Sequence, residues 1–173
     1  QGGGSPSPGN VTTNSSYDGS TWTDIASGNV PAFGARFERQ AWAIDNTASY
    51  SDYKLIFNTT ASSNGCCMQV AEVELLTKLS DLSDISSPGD ATAALPSEDS
   101  PGSERHPNAI DDNPQTKYLN FIGRNNTPSG LSISTGGGIV SGIALTSAND
   151  APERDPGTYT LSGCLLYTSP SPR

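Results

Sequence analysis

The side chains best suited to chemistry in this chain are acids, amides and a few arginines on turn-rich segments. Glu153-Arg154-Asp155-Pro156 follows Asn149-Asp150. An arginine fork set between acids can donate hydrogen bonds to sugar hydroxyls, or it can knit its own loop to the neighbouring carboxylates. Trp22 and Trp42 could stack on a sugar face, but their places in alternating segments read as core. His106 is the single histidine and stands beside Pro107. A nucleophile–His triad needs a placed partner, and no motif supplies one. Paired acids can hydrolyse glycosides, yet the chain holds 18 Asp and Glu and no spacing singles out two. Ser134 to Gly138, STGGG, lacks the Lys-Ser/Thr of a phosphate loop and reads as a hairpin turn. Cys66, Cys67 and Cys164 are too few for a disulfide framework and lack metal-type spacing. The adjacent pair could join only as a strained ring, so both read as small buried or loop residues. Asn10, Asn14, Asn58 and Asn125 each head a glycosylation pattern, which chance supplies in a chain this rich in Asn, Ser and Thr.

Strands must carry these loops, because the period-2 signal is good and the helical signal poor. Trp22 to Ile25 follows the Asp18-Gly19 turn signal and ends at Gly28. Phe33, Ala35 and Phe37 alternate, and Trp42 and Ile44 take the other parity. A bend near Arg39 to Ala41 would explain the switch. Tyr53, Leu55 and Phe57 alternate on the next strand, and Ala71, Val73 and Leu75 on the one after. The opposite parity there carries Val70, Glu72 and Glu74, so Glu72 shares a face with an apolar residue, which is odd for a solvated face. Thr77 to Arg105 is rich in Ser, Asp, Pro and Gly and reads as a linker with a short edge strand near Asp84 to Ser87. Strands resume at Tyr118 to Phe121, Leu131 to Ser134, Ile139 to Thr146 and Thr158 to Leu161. In the third of these, Ile139, Ile143 and Leu145 share one parity. About eight short strands between Gly/Pro/Asn/Asp turns predict an all-β antiparallel sandwich.

Composition removes several function classes. The formal net charge is −9, and no basic cluster exists to neutralise phosphates, so nucleic acid and anionic membrane surfaces are not expected partners. No apolar run approaches the ~18 residues of a membrane span, so no membrane insertion is expected. An acidic surface suits an extracellular protein and can supply carboxylates for Ca²⁺.

Four segments carry a resemblance: SYDGSTWTDIASG, MQVAEVELL, NAIDDNPQTKYLNF and TSANDAPERDPGTYTLSG. Together they resemble the galactose-binding-like β-sandwich superfamily, the jelly-roll group of discoidin-like and coagulation-factor type C-like domains and many carbohydrate-binding modules. The resemblance implies a non-catalytic module of a secreted or cell-surface repeat protein, with a glycan or extracellular matrix ligand and neighbouring repeats as partners. Two other roles stay open: a spacer repeat without ligand, and an accessory module of a glycoside hydrolase. It also implies a structural Ca²⁺ joining the two ends of the module. The matching ligands are Asn108, Asp111, Asn113 and Thr116 in the loop after the first strand, with Ala71 and Glu72 in the last strand. A hard cation wants several oxygens, and a tight Asp/Asn/Pro loop presents them. The same loop could equally be an Asx-turn without metal. Asp112 replaces the glycine usual after the loop acid. Apart from the resemblance, the residues themselves offer Glu153, Arg154 and Asp155 as a ligand-facing rim, or as a loop that Arg154 knits to its neighbours.

The resembling pieces come in reverse order. Residues 15–76 match the closing half of a copy and 106–163 the opening half of the next, with 77–105 between them. Residues 1–14 are a low-complexity start. Residues 164–173, CLLYTSPSPR, resemble a sequencing adapter translated in frame and are set aside. The ends of such a sandwich lie close together, so the two halves are expected to close as one circularly permuted jelly-roll domain. Half-sheets left apart would keep open edges and unburied apolar faces.

Overall fold

The computed structural model describes residues 21–78, 80 and 83–165. The expected low-complexity start, the Asp18-Gly19 turn, the Asn10 and Asn14 glycosylation patterns and positions 166–173 of the tail lie outside the described residues. Among the described residues the strands are β1 (Thr23–Asn29), β2 (Arg39–Ala43), β3 (Asp52–Thr60), β4 (Met68–Val70), β5 (Glu72–Leu76), β6 (Ala91–Leu95), β7 (Tyr118–Asn120), β8 (Ser129–Ser134), β9 (Gly142–Thr146) and β10 (Pro156–Cys164). Short 3-10 helices span His106–Ile110, Phe121–Asn126 and Pro152–Arg154.

The fold is all-β. One sheet has the order β1-β10-β3-β8-β6, a second β2-β9-β5, and a two-stranded sheet joins β4 to β7. All of these ladders are antiparallel. Tyr53, Leu55 and Phe57 are buried at alternate positions of β3, as the period-2 pattern predicts. With Leu131 and Leu161 of the same sheet they join Val73, Leu75, Ile143 and Leu145 of the second sheet in one buried cluster. This is the sandwich core. Gly130 allows β8 to approach β3 closely, since a Cβ there would sit 2.0 Å from the Leu55 carbonyl oxygen. No helix among the described residues is long and apolar enough to cross a membrane.

Strands from the two expected halves alternate within both larger sheets. β1 and β3 flank β10, and β2 and β5 flank β9. Thr23 pairs with Gly163, so the start of the first segment lies beside the end of the second.

Several local expectations need correction. Phe33 to Phe37 is not a strand. Glu38 takes the backbone N–H groups of Gly34 and Ala35, the donors a ladder would need, and Phe37 turns with φ 59°. The stretch 70–75 is not one strand. It divides at Ala71, whose N–H binds Thr146 O at 2.9 Å, so Val70 and Glu72 lie in different sheets. The edge strand of the 77–105 segment is Ala91–Leu95, paired to β8. Asp84 makes only an isolated bridge to Leu76, so the segment is part of the larger sheet rather than a free linker. Tyr118–Phe121 stops at Asn120, whose side chain caps the next 3-10 helix at Ile122 N. Ile139 is 42% exposed while Val140 is buried. β10 also runs past Gly163, with Cys164 paired to Asp52. Cys66 and Cys67 are joined as a vicinal disulfide rather than free thiols.

Candidate functional site

The first cluster forms where β5 meets the loop after the 3-10 helix His106–Ile110. That helix buries Ala109 and Ile110 and ends at Asp111. Asp111 then shapes an Asx-type turn: Oδ1 accepts Asn113 N at 3.0 Å and Oδ2 accepts the Thr116 hydroxyl at 2.7 Å. Asp112 sits between them with φ 57°, the left-handed conformation in which glycine costs least. This explains why a glycine would suit the position and how an Asp, which tolerates that region, can hold it. Asn108 pins the base of the loop through Nδ2, which donates to Ser103 O at 2.8 Å and Lys117 O at 3.0 Å. Asn113 Oδ1 accepts Gln115 N at 3.1 Å.

Glu72 enters this loop from β5. Its Oε1 accepts the N–H of Asn113 at 2.9 Å, and the residue is only 6% exposed. Burial first, and then the facing Asp111 carboxyl, push the Glu72 carboxyl up to about 8, against the backbone N–H groups of Asn113 and Asp112. Glu72, Asp111, Asn113 and Thr116 therefore meet. Asn108 braces them, and the N–H of Ala71 binds Thr146 O instead. Two carboxyl groups share a site in which the Asn113 N–H and the Thr116 hydroxyl donate to them. The oxygens that a hard divalent cation could use there are those of the two carboxyl groups, the Thr116 hydroxyl and the Asn113 side chain. Among the described residues no group of three or more His, Cys, Asp or Glu is gathered for a metal, so further ligands would be carbonyl, amide or hydroxyl oxygens.

The second cluster is the loop between β9 and β10. Asp155 is 4% exposed and is gripped by both Arg36 nitrogens, Nη1 to Oδ1 at 2.9 Å and Nη2 to Oδ2. Burial still holds its carboxyl above the ordinary range, with Arg36 opposing that shift. Arg36 also reaches Asp150 O at 3.2 Å. From the other side Lys117, itself buried, donates to Asp150 Oδ1 at 2.8 Å and Gln69 Oε1 at 3.2 Å. Gln69 Nε2 returns to Asp150 O and Ala151 O. These contacts hold Ala151 at φ 45°. The loop is thus knitted by Arg36 and Lys117, not by Arg154. Arg154 Nε is buried without a hydrogen-bond partner. Glu153 is exposed, and its carbonyl receives Ser62 N at 3.1 Å.

Sequence reasoning missed Arg36, Gln69 and Lys117. Lys117 left one signal, a cation placed directly before the apolar pair Tyr118-Leu119. Arg36 was masked by the apparent alternation around it. The two tryptophans differ. Trp42 packs on Tyr159 with centroids 5.3 Å apart, while the Trp22 ring lies under the Lys54 ammonium at 4.9 Å. His106 Nδ1 shares a 2.7 Å hydrogen bond with the Thr92 hydroxyl, and its backbone N–H reaches Glu98 at 3.1 Å. These contacts tie β6 to the 3-10 helix. The chain matches no protein-family model, and no curated protein matches it at a significant level.

Proposed function

We propose that this chain is a non-catalytic binding module of a secreted or cell-surface repeat protein. It takes a glycan or matrix ligand on the loop at Glu153, Arg154 and Asp155, with Asp155 anchoring the loop from within, and it uses a structural Ca²⁺ at Glu72 and Asp111. The observation that carries the reading is the loop itself. Arg36 holds the loop at the Asp150 carbonyl and the Asp155 carboxylate, and Lys117 holds it at the Asp150 carboxylate, while Glu153 is exposed and Arg154 half-buried. A polar rim ordered before the ligand arrives loses less entropy on binding, and sugar hydroxyls pair well with carboxylate acceptors and guanidinium donors. Glu72 and Asp111 would hold the cation with the Thr116 hydroxyl and the Asn113 amide. The bound ion would neutralise the two facing carboxylates and tie β5 to the loop.

A glycan array probed with the protein tests this reading. Binding that disappears in Arg154→Ala and Glu153→Ala supports it. A second reading, a spacer repeat without ligand, draws on the same loop, because its buried charges satisfy one another. Absence of binding to every sugar and matrix polymer, with the fold intact by circular dichroism, favours the spacer.

A further inference from the structure

The strand pairing divides the chain into two complementary halves. β1 to β5 lie between residues 23 and 76 and do not pair with one another in any ladder. Each pairs instead with a strand from 118–164: β1 and β3 with β10, β3 also with β8, β2 and β5 with β9, and β4 with β7. Among the described residues, the one ladder that does not join 23–76 to 118–164 is β6 with β8. The core is divided in the same way, with Leu55, Phe57 and Leu75 from one half and Leu131, Leu145 and Leu161 from the other. The first half alone would present five strands with no ladder between them. Such edges and apolar faces are strongly driven to find a partner.

We infer that the two halves are mutual binding surfaces and that the partner they fit is a second copy of this chain. The first half of one copy completes the second half of the other, strand for strand. Exchange of this kind reuses every native contact and needs only a different path for the connection. The two halves are joined between Thr77, whose N–H meets Ser83 O at 2.9 Å, and the bridge from Leu76 to Asp84. In the single chain the connection joins halves of one fold. In the exchanged pair it joins one fold to the next.

The test shortens that connection in the full chain. Deleting residues 79–82 leaves one residue between Thr77 and Ser83, fewer than the two that a tight hairpin needs. Light scattering after size exclusion is then expected to give twice the monomer mass at all concentrations, with an unchanged β-sheet circular dichroism signal. A folded monomer would overturn the inference. A second readout keeps the connection intact. Full-length Ser27→Cys and Thr160→Cys chains are mixed, unfolded and refolded together under oxidising conditions. Ser27 and Thr160 are direct partners in the β1–β10 ladder. Exchange yields a linked peptide joining positions 27 and 160 in mass spectra, increasing with protein concentration. Its absence at the highest concentration refutes exchange.

Discussion

Replacing Glu72 by Gln tests the carboxyl pair directly. The Glu72 carboxyl titrates near 8 in the folded chain against an ordinary value of 4.5. A raised folded value means that the folded state holds the proton more tightly. The stability this confers is complete below about 4.5 and is lost as pH rises toward about 8. Each unit of difference corresponds to about 1.4 kcal/mol. Allowing for water reaching the loop, roughly 2–4 kcal/mol should vanish across that window in the wild-type protein without added cation. Gln is neutral throughout, so Glu72→Gln should flatten the slope and be the more stable form at pH 8. Added Ca²⁺ should close most of that gap. At a hundred times its dissociation constant, a bound ion adds about 2.7 kcal/mol. For a chain of this size that moves the wild-type midpoint up by roughly 5–11 °C, while the variant stays in place. The assay is thermal melting by circular dichroism at pH 5 to 8, with calcium or with chelator. Equal pH slopes in the two proteins would refute the burial argument. A midpoint indifferent to calcium would refute the cation site.

Three further outcomes are expected. Asp84 is held up at about 6 from an ordinary 3.8, chiefly by burial and against hydrogen bonds from Ser86, so urea midpoints should fall as pH rises from about 4 to 6 and the fall should disappear in Asp84→Asn. Arg36→Met strands the buried Asp155 carboxylate and should cost about 3–5 kcal/mol, much of it recovered when Asp155→Asn is added; additive losses in that double-mutant cycle would contradict the pairing. Gly130→Ala drives a methyl into the Leu55 carbonyl and should destabilise by more than about 3 kcal/mol in chemical denaturation, whereas a loss below about 1 kcal/mol would show that β3 and β8 can separate without cost.

How far the sequence could be read depended on whether an interaction was local. The alternation of Tyr53, Leu55 and Phe57 was legible because successive strand side chains point to opposite faces. The same rule misled at Phe33 to Phe37, where the Glu38 carboxylate captures the N–H groups of Gly34 and Ala35. It misled again at Ala71, where the chain passes from one sheet to another. The Asp111, Asn113 and Thr116 turn closes within a few residues, so its geometry follows from its own Asx chemistry. The loop between β9 and β10 was legible as a polar segment, but not the residues that hold it.

By itself the amino-acid sequence determined the all-β class, the acidic surface and the turn that carries Asp111, because each depends on neighbours in the chain or on composition. Only the tertiary structure decided that Glu72 meets Asn113 across 41 residues and that Arg36 clamps Asp155 across 119. Those contacts exist because β5 and β10 each pair with strands from the other half of the chain, and strand register is set by which apolar faces must be buried together.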